Sequence, residues 1–387
     1  MILEGDFYSK YMLFRDYSGN MYAYDYSSCA EKKKWALSSS VAYYSNFAET
    51  NDGIYYMYVG KDNTGKYFPP VIKSFTDTDK YTLPNNSSDY FDAYYDSTTD
   101  IYWVAYAYWS SSEKKLYLCK KTDKYAEIIK TVATFPFSSA CIATQGRNFY
   151  YSFNSSDDTN QCPDSIGYAT FDYTTSGGSA NEITTKTLAD FGVSGTITDM
   201  AVLEDGTVAV LVRSVGVGTE TEGFGGNMSL STDGSSIVYS RGALVLLSAD
   251  LSKVEKVLGW TDSPRPISAT GSSSGYSVQW DKITAYIPDY AERNSHFYGP
   301  MRIVAVRPKE LVIADCGANF VLPDYDGKKN GKMYAHNRLM TVNLRNFAIG
   351  CKKEFSEDEL KFQNLSIIGN IEVSTDGDWS NRYVDEK

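Results

Sequence analysis

The sequence predicts an all-β fold of the β-propeller type, because of its aromatic content and its recurring hairpin signals. The chain of 387 residues contains 33 Tyr, 18 Phe and 6 Trp. Aromatic side chains favour strands because they pack well on a pleated, half-buried surface. Closed all-β folds of this length often form one unit. We therefore expect a single β-propeller domain over residues 1–387.

The clearest hairpin signal lies in the segment Thr196–Arg213, where two apolar runs flank Asp205-Gly206. An Asp-Gly pair between two strands is a strong hairpin signal, because Gly adopts a positive φ without steric cost. The second run, Val208–Val212, is apolar at every position, so both of its faces require cover. A strand inside a propeller blade has that cover, because it lies between two neighbouring blades.

The same order of strand, turn and strand recurs along the chain, which is typical of a repeat architecture. One set of hairpins is predicted at Val41–Val59, Asp92–Trp109, Ser139–Phe153 and Ile303–Ala314. A second set is predicted at Leu116–Val132, Ile166–Leu188, Leu244–Leu258 and Leu339–Phe355. Two successive hairpins supply four strands, and four strands make one blade. We therefore predict about seven four-stranded blades, with six and eight as the alternatives.

Two segments are harder to assign to blades. Pro264–Tyr298 is difficult to divide into strands because prolines and a Ser-rich run interrupt it. The first strands, within Tyr11–Tyr26, resemble an incomplete blade, and the apolar stretch Leu365–Val373 is the candidate for its missing strand. Because a closed ring removes open sheet edges, we expect the N- and C-terminal strands to pair and close the propeller.

At Thr196–Arg213 and again at Ile303–Asp315, the chain resembles the blades of β-propeller repeat proteins of the NHL-like and kelch-like kinds. The resemblance rests on the rhythm of the hairpins and on a few turns. It implies the fold and no particular activity, because propellers serve as enzymes, lectins and interaction scaffolds alike.

Charge and hydropathy argue against two kinds of partner. The formal net charge of −11 disfavours nucleic acid, whose binding requires clustered Lys and Arg. The one dense basic run, Lys32–Lys34, is predicted to be a solvated turn. No segment reaches the ~18 consecutive apolar residues of a transmembrane helix.

The sequence carries no recognisable catalytic motif. Neither of the 2 His residues, His296 and His336, accompanies a nucleophile motif such as G-x-S-x-G. A glycosidase needs a pair of carboxyl groups, and the sequence singles out no pair among its 48 Asp and Glu. We therefore favour a protein that is not an enzyme, and we keep a carbohydrate-active enzyme as the alternative.

Aromatic residues supply the candidate ligand-binding sites. One predicted strand carries four of them, with the two Tyr on one face and the two Trp on the other: Trp103, Tyr106, Tyr108 and Trp109. Packing between blades is the plain explanation, and a stacking platform for a sugar is the functional one. Phe224 is a further candidate, within the Gly-rich insertion Val215–Ser235, which is either a surface loop or a binding loop over one propeller face.

Calcium is the one metal that the sequence suggests, and no other cofactor is expected. Asp324 and Asp326 place carboxylates two residues apart in a loop that contains Gly327. Calcium takes oxygen ligands in a flexible arrangement of this kind. The alternative is a plain Asp-Gly turn, because Asp also bonds to its own backbone in turns.

These features favour a non-catalytic binding or interaction protein whose ligand is a protein or a glycan. The richness in Ser, Tyr, Asn and Thr is typical of exported bacterial proteins. We therefore expect a location in the periplasm or at the cell surface, with a leader or a lipid anchor in the precursor. The alternatives are a carbohydrate-active enzyme and a lectin-like propeller with an acidic, aromatic site in its channel.

Overall fold

The computed structural model describes most of the predicted hairpins. It describes residues 10–16, 19–50, 53–83, 87–96, 101–109, 114–121, 126–135, 141–145, 148–153, 163–170, 184–193, 195–213, 242–259, 269–272, 275–278, 295–297, 299–321, 331–355, 370–373 and 378–384. Within these residues the fold is all-β, with one short 3₁₀ helix at Leu188–Phe191. Among the described residues, no helix is long and apolar enough to cross a membrane.

The strands are numbered in chain order. The first ones are β1 (Tyr11–Arg15), β2 (Met21–Asp25), β3 (Glu31–Trp35), β4 (Val41–Thr50), β5 (Gly53–Gly60), β6 (Val71–Ser74), β7 (Asp79–Thr82), β8 (Ser87–Asp96), β9 (Ile101–Trp109), β10 (Lys114–Lys121), β11 (Ala126–Phe135), β12 (Ile142–Gln145), β13 (Asn148–Phe153), β14 (Ser165–Thr170) and β15 (Thr184–Thr187). The others are β16 (Thr196–Val202), β17 (Val208–Arg213), β18 (Gly242–Leu247), β19 (Val254–Gly259), β20 (Ala269–Ser272), β21 (Gly275–Val278), β22 (Pro300–Arg307), β23 (Glu310–Val321), β24 (Gly331–Asn343), β25 (Ile349–Glu354), β26 (Asn370–Val373) and β27 (Asp378–Val384).

The strands form five blades of four antiparallel strands, which pair in chain order from β4–β7 to β22–β25, and a three-stranded first sheet, β1–β3. The predicted number of about seven blades is therefore wrong. One segment that is difficult to divide from its sequence is Pro264–Tyr298. Within that segment, the short strands β20 and β21 form no blade of their own, because β21 pairs with β27 in a sheet continuous with the last blade. All eight hairpins that the sequence predicts in the two sets are present as antiparallel strand pairs.

The apolar run in β17 is buried on both faces, as its sequence predicts. Val208, Val210 and Val212 belong to a cluster that includes Tyr150 and Ile166 of the preceding blade. The alternate residues of β17 belong to a second cluster, shared with Ile303, Leu311 and Met340 of the following blade. Since successive side chains of a strand point to opposite faces, the blade β16–β19 lies between two neighbours.

The turn before β17 has the predicted Asp-Gly chemistry. Leu203 N–H donates to the carbonyl of Thr207 (2.8 Å), and Thr207 N–H donates to Asp205 Oδ1 (2.9 Å). Gly206 has a φ of +88°, a value that a side chain disfavours. The hairpin prediction at Thr196–Arg213 is confirmed.

The innermost strands arrange the sheets in a ring. β4 contacts β8, β8 contacts β12, β12 contacts β16, β16 contacts β22, and β22 contacts β1. Gln145, at the end of β12, donates to the carbonyl of Leu203 just beyond β16 (2.9 Å). Thr198, near the start of β16, donates to the carbonyl of Pro300 at the start of β22 (2.8 Å). These innermost strands therefore run in the same sense.

The first sheet meets the ring with an innermost strand of opposite sense. Arg307, at the end of β22, donates to Glu49 near the end of β4 (3.0 Å) and to the carbonyl of Tyr11 at the start of β1 (3.0 Å). Arg15, at the end of β1, donates to the carbonyl of Tyr44 near the start of β4 (2.6 Å). β1 therefore has the direction of a blade's second strand.

Side chains also join the first sheet to the last blade. Phe355, which follows β25, packs edge-on against the rings of Phe14 and Tyr24, at centroid distances of 6.2 and 5.6 Å. The guanidinium group of Arg307 lies over the ring of Tyr26 at 5.0 Å. Aromatic pairs of this geometry add about 1 kcal/mol each to the area they bury. The seam of the ring is thus held by aromatic and guanidinium contacts.

The predicted closure through Leu365–Val373 is wrong where the structure describes it. The strand β26 pairs with β24 and with β27, and not with a strand of the first sheet. The reason lies in the lengths of the last strands. β25 pairs only with Arg338–Val342 of β24, so the earlier part of β24 is available, and β26 pairs with Gly331–Met333. Residues 365–369 lie outside the described residues.

The basic run Lys32–Lys34 is strand β3, so the prediction of a turn there is wrong. Lys33 forms an ion pair with Asp77, and its ammonium group lies over the ring of Trp35 at 4.7 Å. The indole N–H of Trp35 donates to the same carboxylate (3.0 Å). These contacts with the neighbouring blade override the low strand propensity of lysine.

A second sheet extends from the last blade. The hairpin β23–β24 extends beyond its blade: β22 pairs with β23 only as far as Asp315, whereas β23 and β24 stay paired as far as Val321. The distal part of this hairpin is continued by β26, β27, β21 and β20 in that order. We call these four strands and the distal hairpin, Cys316–Val321 with Gly331–Asn337, the accessory sheet.

We expect Arg307→Met to lower the free energy of unfolding by about 3 kcal/mol, because it removes a guanidinium group that pairs with the largely buried carboxylate of Glu49. The Arg307 and Glu49 side chains are only 11% and 23% exposed. Urea unfolding followed by tyrosine fluorescence measures the change. Lys253→Met is the matched control, because the pair Lys253–Glu255 is 67% and 41% exposed and such pairs contribute about 0–1 kcal/mol. Equal effects of the two substitutions would contradict the role of Arg307 at the seam.

Candidate functional site

The common direction of the innermost strands sorts the connections onto two faces of the ring. In each blade, the start of the first strand, the end of the second and the start of the third lie on one face. The connections from second to third strand, and from one blade to the next, therefore begin and end on that face. We call it the loop-rich face, and we call the other the opposite face.

The longest connections have both ends on the loop-rich face. Those from second to third strand are 61–70, 110–113, 154–164, 214–241 and 322–330, and those that lead to the next blade are 83–86, 136–141, 188–195 and 260–299. On the opposite face, the turns from first to second strand are 51–52, 97–100, 146–147, 203–207 and 308–309. Only 171–183 is long on that side. Since loops carried by a rigid scaffold carry function more often than the scaffold does, the loop-rich face is the candidate site.

Exposed apolar side chains mark one sector of this face. Tyr67 and Phe68 are 56% and 49% exposed, and Leu37 is 38% exposed. Tyr67 and Phe68 lie in the connection 61–70, and Leu37 lies in the neighbouring connection from β3 to β4. The two connections are joined, because Lys61 N–H donates to the carbonyl of Ser40 (2.9 Å). We call residues 61–70 the aromatic loop.

The aromatic loop is ordered by its own hydrogen bonds. Asp62 Oδ1 accepts from the N–H of Thr64 (2.8 Å), the hydroxyl of Thr64 (2.6 Å) and the N–H of Lys66 (3.0 Å). These bonds, with that of the Thr64 hydroxyl first, hold the pKa of Asp62 below its usual range. Gly65 adopts a φ of +83°, a conformation that favours glycine over residues with a side chain.

The two exposed rings are fixed at the base of this turn. Lys61 and Tyr67 form an isolated β-bridge, and Phe68 N–H donates to the carbonyl of Gly60 (2.8 Å). The ring of Tyr67 contacts that of Tyr43 edge-on, at 6.5 Å. A ligand that binds to an ordered loop loses less conformational entropy on binding than one that must order a loop. The aromatic loop is therefore a preorganised surface.

A polar group lies between the innermost strands β16 and β22. A β-bulge at Thr198 shifts the register next to Asp199, whose Oδ2 accepts from the N–H of Ile303 (2.8 Å). Its Oδ1 lies 3.4 Å from Arg302 Nη1. Burial raises the pKa of the Asp199 carboxyl, and the charge of Arg302 opposes this shift. The group connects two blades near the centre of the ring.

A second buried ion pair anchors the end of the connection 260–299. Arg338 Nε and Nη2 donate to Asp315 Oδ2 at 2.9 and 2.8 Å, and both residues are almost fully buried. Asp315 Oδ1 accepts from Gly299 N–H (2.7 Å), and Arg338 Nη2 donates to the carbonyl of His296 (2.6 Å). With these bonds, the pair holds the segment that enters β22.

The four aromatic residues predicted for sugar stacking all lie in β9. This strand pairs with β8 on one edge and with β10 on the other, so it is an interior strand of its blade. In register, Trp103 is opposite Lys120, Tyr106 is opposite Tyr117, and Tyr108 is opposite Lys115. The predicted strand is confirmed, and the stacking role of Trp103, Tyr106, Tyr108 and Trp109 stays a prediction.

The remaining candidates lie outside the described residues. They are Phe224 with its Gly-rich segment Val215–Ser235, and the calcium candidates Asp324 and Asp326. Both segments belong to connections whose ends lie on the loop-rich face, 214–241 and 322–330. In the part of the chain that the structure describes, no group of three or more His, Cys, Asp or Glu is placed to hold a metal ion.

Sequence reasoning missed Tyr67 and Phe68. In a chain with 33 Tyr and 18 Phe, neither residue type marks a site. The available signal was local: Asp62 and Gly65 are turn residues, and the pair Pro69-Pro70 follows the two rings. Together they indicate an ordered, strand-free connection in which an aromatic side chain has no blade to pack against.

The sequence matches no protein-family model and no curated protein. Three solved structures illustrate what the fold is similar to. TolB from Acinetobacter baumannii is 11% identical, with a TM-score of 0.46, over 93% of this chain and 66% of that one. Hsv2 from Kluyveromyces lactis is 9% identical, with a TM-score of 0.37, over 90% and 95%. YjhT is 10% identical, with a TM-score of 0.40, over 89% and 97%. The chain thus spans just under two thirds of the length of the TolB chain.

The pairing and order of the strands define the class of the protein. Radially arranged four-stranded antiparallel sheets, each paired in chain order from the inside outwards, form a β-propeller. This class hosts many functions, so the activity has to be argued from the loop-rich face.

We expect the stability of the protein to depend on the ionisation of Asp199. Because the folded pKa of this carboxyl is raised, its contribution is fully present below the unfolded pKa of about 3.9 and is lost as the pH rises through the folded pKa. The free energy of unfolding of Asp199→Asn should therefore improve relative to wild type between pH 3.5 and pH 8. Urea unfolding measures this difference at pH values away from the pI of 4.8. A difference that moves in the other direction would mean that the folded protein stabilises the carboxylate.

Proposed function

We propose that this chain is a non-catalytic binding protein that holds a protein partner on the loop-rich face of its propeller. The observation that supports this proposal is the aromatic loop, which presents Tyr67 and Phe68 to solvent on an ordered turn. Aromatic side chains, Tyr among them, are enriched among the residues that contribute most to protein interfaces. Their exposure in an otherwise well-packed blade leaves them without a role in the core.

The position of the loop gives the partner further contacts. The connections 154–164, 214–241 and 322–330 have their ends on the same face as the aromatic loop. A standard protein interface buries about 800 Å² on each partner, more than a single loop supplies. Several connections on one face fit this requirement, and they can vary in sequence without changing the blades.

The location of the protein is also part of this proposal. Its composition, rich in Ser, Tyr, Asn and Thr, is the support for export from a bacterial cytoplasm to the periplasm or the cell surface. A lipid anchor in the precursor would hold the propeller at a membrane. Fractionation of the source cells, together with the N-terminal sequence of the precursor, tests this assignment.

A glycan ligand is the alternative, either for a lectin-like propeller or for a carbohydrate-active enzyme. The aromatic run in β9, Trp103 to Trp109, and the exposed ring of Tyr67 are the features in its favour. Flat aromatic rings supply the apolar faces on which sugars stack. Strong and specific signals on a glycan array would favour this alternative, and turnover of a glycoside panel would overturn the non-catalytic proposal.

We expect the double variant Tyr67→Ala, Phe68→Ala to weaken binding of the partner at least about tenfold, because loss of an interface anchor costs roughly 2 kcal/mol or more. The purified protein is immobilised, incubated with an extract of the source organism, and the retained proteins are quantified by mass spectrometry. The partner is then titrated against the wild type and each variant. Both residues are exposed, so the substitutions should change stability by about 0.5 kcal/mol or less.

Phe347→Ala is the matched control for this experiment. Phe347 is 36% exposed and lies in the turn between β24 and β25, on the opposite face. Its variant should bind the partner as the wild type does. If the double variant retained full affinity, or if Phe347→Ala lost as much, the assignment of binding to the loop-rich face would be wrong.

We also propose that calcium binds at Asp324 and Asp326. We expect the wild type to bind Ca²⁺ with a Kd of about 10⁻⁴ to 10⁻³ M, as extracellular calcium modules do, and the double variant Asp324→Asn, Asp326→Asn to lose this binding. Isothermal titration with Ca²⁺ measures both. Asp250→Asn is the control, because Asp250 accepts from Ser248 and Ser252 in an exposed turn. Absence of binding, or equal binding by the double variant, would overturn the proposed calcium site and favour a plain Asp-Gly turn at this segment.

A further inference from the structure

The accessory sheet has an edge that no described strand covers. The distal part of β23, Cys316–Val321, pairs with β24 on one side. On its other side, β22 reaches only as far as Asp315. Among the described strands, none pairs with this edge beyond that point. The edge lies at the end of the hairpin that leads to the connection 322–330, on the loop-rich side of the ring.

The register shows which backbone groups face outwards. The backbone carbonyl of Asn337 accepts from the N–H of Phe355 (2.8 Å). The backbone N–H and C=O of Asn337 therefore point away from β23. Asn337 is opposite Cys316. In an antiparallel pair, N–H and C=O groups alternate between the two sides of a strand, residue by residue. The backbone groups of Ala318 and Phe320 therefore point to the open edge.

This edge lacks the features that usually protect open strands. Natural edges carry charges, especially Lys, or prolines, which discourage pairing with other chains. The outermost strand of the first sheet follows this rule, because β3 contains Lys32, Lys33 and Lys34. The segment Cys316–Val321 contains neither a charged residue nor a proline. Of these two described edges, one therefore carries protecting charges in its own sequence and the other does not.

We propose that the open edge of β23, at Cys316–Val321, binds an extended peptide segment of the partner by strand addition. A row of free N–H and C=O groups is complementary to another extended backbone. A second copy of the chain is disfavoured, since each copy carries a net charge of −11 and like charges oppose association. The same charge favours a segment with net positive charge.

This inference rests on the proposed function in one respect, since it takes the ligand to be a polypeptide. Strand addition differs from binding at the aromatic loop in the site and in the form of the ligand. The aromatic loop contacts side chains of a folded or extended partner, whereas the edge of β23 recognises backbone groups. Variants of the two sites therefore separate the two proposals.

The experiment uses a phage-displayed library of random twelve-residue peptides, panned against the full chain. Enriched peptides are synthesised with a fluorophore and titrated by fluorescence polarisation. We expect enriched sequences with net positive charge and no proline at their centres. Binding should be at least about tenfold weaker to Ala318→Lys, because an added charge at an edge position opposes strand pairing.

Ala335→Lys is the matched control. Ala335 is directly opposite Ala318 in the register of β23 and β24, so the same substitution is made one strand away from the edge. It should leave peptide binding within about twofold of the wild type. Circular dichroism and thermal unfolding of both variants show whether each is folded. Equal loss in both variants, or no loss in Ala318→Lys, would overturn the proposal.

A second measurement is independent of the folding of any variant. Single N-methyl groups are placed at successive positions of the best peptide, and each derivative is titrated against the wild type. In strand addition only every second N–H of the ligand faces the sheet, so affinity should fall about tenfold at alternate positions and little at the others. A pattern without this alternation would overturn the proposal. Loss of peptide binding in Tyr67→Ala, Phe68→Ala, with full binding by Ala318→Lys, would support the aromatic loop and overturn strand addition.

Discussion

The burial of both faces of each blade is the constraint on which the rest of the structure depends. The strands β17 and β18 show it most clearly, because every residue from Val208 to Arg213 and from Gly242 to Leu247 is buried. Alternate side chains of one strand enter two different clusters, one shared with each neighbouring blade. A blade of this kind is stable only between two others, so the sheets are forced into a ring. The ring then has to close where its ends meet. At that seam, guanidinium and aromatic contacts of Arg307, Arg15 and Phe355 connect the first sheet to its neighbours, in addition to the apolar cluster that the first sheet shares with β4 and β5.

The hairpins could be predicted from the sequence because their signals are local. Asp205-Gly206 determines its own turn, and the apolar residues on either side determine the two strands. The number of blades could not be predicted in the same way. The sequence of Pro264–Tyr298 indicates short strands but carries no information on which sheet they join, and β21 pairs with β27, about a hundred residues later in the chain. The prediction of a turn at Lys32–Lys34 was wrong for a similar reason. Lysines indicate solvent, but here the neighbouring blade supplies Asp77 and an aromatic ring for Lys33.

The candidate site was less predictable than the fold, because exposure is a property of the folded chain. The same residue type serves opposite purposes in this protein. Tyr150 is fully buried between blades, with its hydroxyl bonded to the carbonyl of Ala249, whereas Tyr67 is largely exposed. Nothing in their immediate sequences separates them except the turn residues Asp62 and Gly65 around the second. The sequence suggests a ligand-binding site in β9 because aromatic residues are dense there. The same density is equally typical of a strand in the interior of a blade.

The ring geometry also explains why the two proposed contacts lie on one side. Since the innermost strands share one direction, a blade can lengthen its second-to-third connection without disturbing its neighbours, and each such change adds material to the same face. The hairpin β23–β24 is the extreme case, because its strands continue as paired backbone beyond the blade. Beyond Asp315, the strand β23 no longer has β22 beside it, so it loses the partner that the blade provides. The backbone still requires hydrogen bonds there. The strand β26 pairs with β24, but β24 lies between β26 and β23, so β26 does not pair with β23. Among the described strands, an extended hairpin therefore leaves an edge without a partner as a direct consequence of its length, and this edge lies on the loop-rich side of the ring.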